Sequence, residues 1–172
     1  MLHRLRVITK NQKGLVLIEL LVAIAISGII AGGITAAIYQ TWNVNALSTS
    51  RMIAVKQVED AIHWISRDAQ MAQIVQTSGV SGFPLNLSWI DWENTTKQVS
   101  YTLEGNTMRR TFSVNGSEVG QIVIAEHINP DVRITNCQFL GGVLTIELTA
   151  SVNGTRQANE TRICDIIPRP VA

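Results

Sequence analysis

The chain has 172 residues, with 14 basic and 13 acidic side chains and a formal net charge of +1 at pH 7. Charged residues make up 16% of it and hydrophobic residues 46%. A typical globular chain has roughly 25% charged residues, so this composition excludes a protein that is disordered over most of its length. The balanced charge argues against a nucleic-acid-binding protein that works through net charge. The length suits one domain with an appendage.

The first part of the chain has an unusual distribution of charge. Residues 1–14 contain four basic side chains and no acidic one. The next 24 residues, Leu15–Ile38, are apolar apart from a few small or hydroxyl residues, and Glu19 is their only ionisable side chain. As a helix this block measures about 36 Å, enough to cross a hydrocarbon core of ~30 Å. The basic residues before it predict a cytoplasmic N-terminus. A buried core helix is the alternative, but such a helix rarely runs so long without a polar face.

A conventional secretory signal is a second alternative for this block. Ala23-Ile24-Ala25 fits the small-residue pattern of a signal-peptidase site. However, Glu19 would then lie inside the apolar region of the signal, where a carboxylate costs about 2–3 kcal/mol. Cleavage after Ala25 would also leave more apolar residues at the new N-terminus. The sequence therefore favours a membrane-spanning helix that is retained in the mature protein.

The residues around Gly14 form a recognisable motif. The stretch Lys13–Leu20, K-G-L-V-L-I-E-L, resembles the prepilin-type cleavage and methylation signal of the type IV pilin and type II secretion pseudopilin superfamily. The resemblance implies that residues 1–14 are a cleaved leader and that Leu15 becomes the N-terminus, which in the family is usually methylated. Glu19 is then the fifth mature residue. In the family this carboxylate pairs with the terminal amine of a neighbouring subunit and sets the register between helices. Extension of its side chain to the near membrane interface is the alternative.

The helical pattern continues beyond the apolar block. We expect residues 15–42 to form the membrane part of one long helix and residues 43–78 to form its amphipathic continuation. Apolar residues recur there at spacings of three and four, typical of a helix that packs on a sheet: Val55, Val58, Ile62, Ile65, Ala69 and Ala72. A coiled coil is the alternative, but the repeat is under three heptads long. The residues between them predict a solvated face: Arg51, Lys56, Glu59, Asp60, Arg67 and Asp68.

Residues 79–172 have the pattern of an antiparallel β head. Short alternating runs are separated by turn signals, of which Asn115-Gly116 is the clearest. The runs predict strands near residues 85–91, 99–103, 108–114, 121–125, 132–139, 143–152 and 162–167. Arg109 and Arg110 are interpreted as charges on an edge strand. A sheet of this kind would lay one face on the helix, which gives a pilin-like fold of the α+β class.

The head is also similar to one subgroup of the same superfamily. Tyr101-Thr102-Leu103, the turn at Gly105 and Met108-Arg109-Arg110 resemble a strand–turn–strand unit of minor pseudopilins of the J type. Arg67-Asp68-Ala69, near the end of the long helix, adds to that resemblance. The similarity implies a minor subunit rather than the main component of a filament.

The remaining chemistry-bearing residues do not form an active site. His3, His63 and His127 are scattered, and no motif for a nucleotide, a metal or a catalytic nucleophile is present. We therefore expect no enzyme activity, no metal and no cofactor. Cys137 and Cys164 both fall in the head, where two interpretations stay open. They are two free thiols or, as the resemblance implies, a disulfide that fastens the C-terminal loop to the sheet.

The resemblance, together with these patterns, implies a minor structural subunit of a type II secretion pseudopilus or a type IV pilus. Its expected partners are prepilin peptidase, other pilins or pseudopilins and the inner membrane, with no nucleic acid. The N-terminus would be cytoplasmic and the head extracytoplasmic. A signal-anchored extracytoplasmic enzyme is one alternative and needs a catalytic constellation in residues 79–172. A competence pseudopilin for DNA uptake is another and needs a basic head surface.

Overall fold

The computed structural model describes residues 12–79, 81–153 and 157–169, with the backbone alone for residues 12–16. These residues form one helix, α1 (Gln12–Met71), followed by eight strands. The strands are β1 (Ile74–Thr77), β2 (Leu85–Ile90), β3 (Thr96–Glu104), β4 (Thr107–Val114), β5 (Ser117–Ala125), β6 (Asn136–Leu140), β7 (Val143–Val152) and β8 (Ala158–Ile166). The chain divides into two compact units, Met1–Val44 and Asn45–Ala172.

The N-terminal unit is described from residue 12 onward and is helical there. No proline interrupts the sequence of α1, and leucine, alanine and isoleucine, which are common in this part, tolerate helical geometry well. The apolar side chains from Leu17 to Ile38 are exposed around the whole circumference. The predicted long apolar helix is therefore confirmed.

The second unit contains the rest of α1 and two antiparallel sheets. The first sheet has five strands in the order β1-β2-β3-β4-β5, so each strand pairs with its neighbour in sequence. The second has three strands in the order β6-β7-β8. The sequence predicted a single meander, whereas the loop at residues 126–135 separates two meanders. An isolated bridge between Ile128 and Ala150 connects this loop to β7.

One hydrophobic core joins the two sheets to the second half of α1. The helix contributes a buried stripe of small and branched residues: Ala54, Val58, Ala61, Ile65, Ala69 and Ala72. The five-stranded sheet contributes alternating residues of β2 and β3, such as Leu85, Leu87 and Val99, and the three-stranded sheet contributes alternating residues of β7. The expected α+β arrangement, a long helix packed against antiparallel sheet, is confirmed.

Two element bounds differ from the sequence-based expectation. The helix ends at Met71, and part of the expected amphipathic helix 43–78 is instead strand β1, which pairs with β2. Three of its four residues, Ile74, Val75 and Thr77, are β-branched and favour strands. The strand expected from Val132 begins at Asn136, because the Asp131 side chain and carbonyl hold residues 131–135 in a turn.

The predicted turn at Asn115-Gly116 is confirmed. Both residues have positive φ, 51° and 79°, as a two-residue turn between twisted strands requires. The Asn115 side-chain oxygen also accepts a hydrogen bond of 3.1 Å from the backbone N–H of Thr96. The turn thus fixes the register of β4 and β5, and the Asn115 side chain connects the turn to the start of β3.

Candidate functional site

The residues of the expected processing site lie at the start of α1. Among the described residues α1 runs from Gln12, so the Gly14–Leu15 peptide bond has helical backbone. Glu19 lies one helical turn beyond Leu15, on the same side of the helix.

Glu19 is exposed and surrounded on the helix surface by exposed apolar side chains. Beginning with Leu17, α1 is long and apolar enough to cross a membrane. In a hydrocarbon environment a carboxylate at this position costs about 2–3 kcal/mol without a counter-charge. The geometry therefore provides an anchor that carries a single acidic group in need of a cation.

A second polar constellation lies inside the head. The Asp68 side chain is completely buried, although it projects from the helix. Its Oδ2 accepts hydrogen bonds of 2.6 Å from the Tyr101 hydroxyl on β3 and of 2.6 Å from Arg110 Nε on β4. Its Oδ1 lies 3.4 Å from Nη2 of Arg67. One carboxylate thereby connects the helix to two neighbouring strands.

The protonation of this cluster follows from its burial and its charges. Burial raises the pKa of Tyr101 well above its usual range, and the hydrogen bond to Asp68 and the negative charge of Asp68 act in the same direction. Burial acts to lower the pKa of Arg110, but its hydrogen bond to Asp68 and the charge of Asp68 outweigh that effect and raise it. The phenol therefore stays neutral and the guanidinium stays charged at physiological pH.

These contacts correct two sequence-based interpretations. Asp68 was expected on the solvated face, yet it lies three residues after Ile65 and four before Ala72, which is a position of the buried stripe. Arg110 was expected on an edge strand, but β4 lies between β3 and β5. Arg110 also lies two residues after the buried Met108, so the strand alternation turns its side chain toward the helix. The helical spacing of Asp68 and the strand alternation of Arg110 therefore already indicated these positions in the sequence.

Aromatic residues cover the outer side of the cluster. The Arg67 guanidinium carbon lies 4.1 Å from the centre of the Trp64 ring, and that of Arg110 lies 5.1 Å from it. Arg110 is also 5.7 Å from the centre of the Phe112 ring. Both guanidinium groups thus lie against aromatic rings, where cation–π attraction stabilises each of them.

The two cysteines are free thiols, and no disulfide joins them. Cys137 on β6 and Cys164 on β8 both lie opposite Ile146 of the central strand β7. Two inter-strand spacings separate them by about 10 Å, beyond the roughly 7 Å that a disulfide can bridge. The disulfide interpretation is therefore wrong for a single chain with this register. Burial raises the pKa of the Cys137 thiol to about 12.

The described part of the chain contains no group of three or more side chains suited to hold a metal ion. His63 is exposed on the helix, and His3 lies outside the described residues. A concavity of about 550 Å³ lies between the start of β1 and the β6–β7 turn and is lined mainly by apolar residues such as Ile74, Phe139 and Ile167.

Comparison with known proteins gives one positive result. Residues 9–35 match the family model described as the prokaryotic N-terminal methylation motif, and the match includes Gly14, Leu15 and Glu19. Neither the curated proteins nor the solved structures give a match to this chain. The motif indicates a precursor that prepilin peptidase processes, and it points to a structural subunit rather than an enzyme.

Proposed function

We propose that this chain, whose methylation motif supports a place in the type IV pilin and pseudopilin family, is a minor subunit of a type II secretion pseudopilus or a type IV pilus. The observation that carries the proposal is the position of the motif. It lies at the start of a helix whose exposed apolar part leads into a folded head. A filament subunit needs these three parts in this order.

Processing between Gly14 and Leu15 is the first step of the proposed mechanism. Glycine has no Cβ, so its backbone can approach a peptidase closely. Cleavage removes the four basic residues of the leader and leaves a new amine at Leu15. The apolar helix then holds the subunit in the inner membrane with its head on the extracytoplasmic side.

Glu19 acts in the second step, the assembly of the filament. Its carboxylate pairs with the amine of Leu15 or of the equivalent residue in a neighbouring subunit. The pairing recovers the free energy that a carboxylate loses in hydrocarbon. Because both groups have fixed positions on their helices, the pair sets the axial register of one subunit against the next.

The head transmits this assembly to the outside of the filament. The Asp68 contacts hold β3 and β4 on the same helix that carries Glu19. The similarity of the head to minor pseudopilins of the J type supports a position near the tip. The genes beside this one would distinguish the two systems, since a secretin indicates secretion and a retraction motor indicates a pilus.

The experiment that tests the proposal is N-terminal sequencing of the mature protein. We expect the sequence Leu-Val-Leu-Ile-Glu, beginning at Leu15. Replacement Gly14→Val should leave a longer, membrane-bound precursor, because a branched side chain blocks the close approach. A mature protein that begins at Ile26 would indicate an ordinary signal peptidase and would overturn the proposal.

The role of Glu19 has a separate test. The variant Glu19→Ala should be inserted and cleaved normally, but it should co-purify poorly with partner pilins from membranes. Glu19→Asp should be intermediate because its carboxylate reaches less far. Glu104→Ala is a matched control, since it removes an exposed carboxylate that pairs with Arg109 in the head. Wild-type recovery of Glu19→Ala would show that Glu19 only extends to the interface.

A further inference from the structure

The cluster around Asp68 has more positive than negative charge. Arg67 and Arg110 both contact the one carboxylate of Asp68. Arg110 takes the short contact of 2.6 Å and is only 13% exposed, whereas Arg67 has a single contact of 3.4 Å and is 48% exposed. The buried guanidinium of Arg110 therefore makes the main contact with the carboxylate. The more exposed guanidinium of Arg67 keeps N–H groups that face solvent.

The exposed guanidinium is held in a fixed orientation. Arg67 lies 4.1 Å above the Trp64 ring, and this stacking restricts a side chain that is otherwise flexible. Preorganisation lowers the entropy that such a side chain loses when it binds a partner. An arginine on an aromatic ring presents its planar N–H edge, which matches a carboxylate with two parallel hydrogen bonds.

The surface on the other side of the Trp64 ring contains apolar side chains and ends in a free sheet edge. The ring lies 5.1 Å from the guanidinium carbon of Arg110, which is 5.7 Å from the Phe112 ring and pairs across the strands with Ile122. Ile122 on β5 is 44% exposed, and Phe112 on β4 is partly exposed. In the five-stranded sheet β5 pairs with β4 alone, so its other side has no strand partner among the described residues. A partner that reaches Arg67 thus also covers apolar surface, which strengthens an ion pair by removing water.

We propose that the flank formed by Trp64, Arg67, Phe112 and Ile122 docks an acidic side chain of another pilin-type subunit, whose carboxylate pairs with Arg67. This inference rests on the proposed function, because it takes a neighbouring subunit of the same assembly as the partner. Charge complementarity determines the chemistry of the docked group, because the surplus, already oriented guanidinium of Arg67 binds an anion. The contact lies in the head and is separate from the pairing of Glu19 in the apolar helix.

The test uses the full-length protein, co-expressed with the pilin-like subunits of its own system and purified in detergent at low and high salt. Arg67→Gln should reduce co-purification of those subunits about threefold to fivefold at low salt, the range for one exposed ion pair. The difference should shrink at high salt, where the charges are screened. Arg67→Lys should be intermediate because it keeps the charge and loses the planar edge. Arg133→Gln is the matched control, since Arg133 is 83% exposed and bound to its own Asp131.

The outcomes separate this inference from the proposed function. Equal recovery of wild type and Arg67→Gln at low salt would overturn the docking site while leaving the pilin role intact. An equal loss at low and high salt, accompanied by a lower unfolding temperature, would assign Arg67 a structural role and also overturn it. Salt-sensitive self-association of the purified chain, lost in Arg67→Gln, would overturn the choice of partner. A precursor that is never cleaved at Gly14 would overturn the proposed function itself.

Discussion

The two halves of α1 differ in the burial of their apolar side chains. In the first half isoleucine and leucine residues are exposed on every side, and Ile30 is 56% exposed. In the second half the apolar residues form one stripe, and Ile65 at its centre is completely buried. The same helix thus exposes apolar side chains on all sides in one unit and is an ordinary amphipathic helix in the other.

The difference lies in where each half finds its apolar environment. The second half buries small residues such as Ala54, Ala61 and Ala69, which let two sheets approach the helix closely. The first half has exposed apolar side chains around its circumference, and residues 12–44, the described part of its unit, contain no sheet to cover them. It therefore depends on lipid or on other helices, as a membrane anchor and a filament core both provide.

The carboxylates of Asp68 and Glu19 differ between the two halves in the same way. Asp68 recovers its lost hydration from Tyr101 and Arg110 within the chain. Glu19 is exposed on an apolar helix and, in our proposal, recovers it from a neighbouring subunit. One carboxylate thus stabilises the fold and the other, as we propose, drives assembly. Their replacement should therefore affect different measurements.

The largest expected effect on the head is that of Arg110→Met. The substitution leaves the buried charge of Asp68 without its closest cation, which costs about 3–5 kcal/mol when one partner of a buried pair is removed. Hydrogen exchange of the full-length protein should become much faster in β3 and β4. Exchange in residues 17–42 should stay unchanged.

A triple variant tests the cause of that loss. Asp68→Leu with Tyr101→Phe and Arg110→Met replaces every member of the buried cluster by an apolar residue of similar shape. Stability should return to within about 1–2 kcal/mol of wild type, because no buried group is left without a partner. A triple variant as unstable as Arg110→Met would show that the cluster itself is favourable.

The second prediction compares the same substitution in the two halves. Ile65→Ala removes a completely buried side chain and should lower the free energy of unfolding of the head by about 3 kcal/mol. Ile30→Ala should leave that free energy unchanged, because Ile30 belongs to the other unit and is 56% exposed there. Urea unfolding in detergent, followed by tryptophan fluorescence, measures both. A similar loss in both variants would contradict the division of α1.

Sequence reasoning succeeded where the signal is local. The motif at Gly14 and Glu19, the apolar helix and the turn at Asn115-Gly116 each depend on a few adjacent residues. It failed where the decisive contact is distant. Asp68 and Arg110 are 42 residues apart, and only the packing of β4 on the helix brings them together.

Two other elements illustrate the same limit. The strand β1 follows the helix without glycine or proline between them, and its pairing with β2 determines its conformation. Whether the cysteines can bond depends on the strand order, because β7 lies between the strands β6 and β8 that carry them. A β-branched run at Ile74–Thr77 was the one sequence signal for β1, and it is too short to distinguish a strand from a helix end.

The third prediction concerns two glycines with similar backbone conformations in the head. Gly82 has φ of 76° and Gly105 has φ of 60°. A Cβ at Gly105 meets nothing within 4 Å, whereas one at Gly82 would overlap the carbonyl oxygen of Cys137 and lie 2.7 Å from its Sγ. Gly105→Ala should cost about 1 kcal/mol for the backbone alone. Gly82→Ala should cost about 1–3 kcal/mol more, because β6 must move. Equal unfolding midpoints in urea would contradict the close approach.

The last prediction separates the two thiols of the head, where the expected effect on stability is smallest. Cys137 is 2% exposed and donates a hydrogen bond of 3.0 Å to the Gly82 carbonyl, whereas Cys164 is half-buried at the sheet edge near Ser66. A maleimide should therefore modify Cys164 first, and mass spectrometry of the peptides identifies which thiol reacted.

The pH dependence of the labelling follows from the ionisation of Cys137. Only a thiolate reacts, and with its pKa raised by burial to about 12 the folded Cys137 is about one part in a thousand ionised at pH 9. In the unfolded chain this thiol ionises near its ordinary pKa. Above that pH the unfolded state therefore binds fewer protons than the folded state. The contribution of Cys137 to stability is therefore complete below about pH 8.5 and decreases toward pH 12. Labelling of Cys137 at pH 9 should consequently follow unfolding of the head, and it should accelerate in Ile65→Ala but stay slow in Ile30→Ala. Equal labelling of Cys137 in those two variants would show that its protection does not depend on the packing of the head.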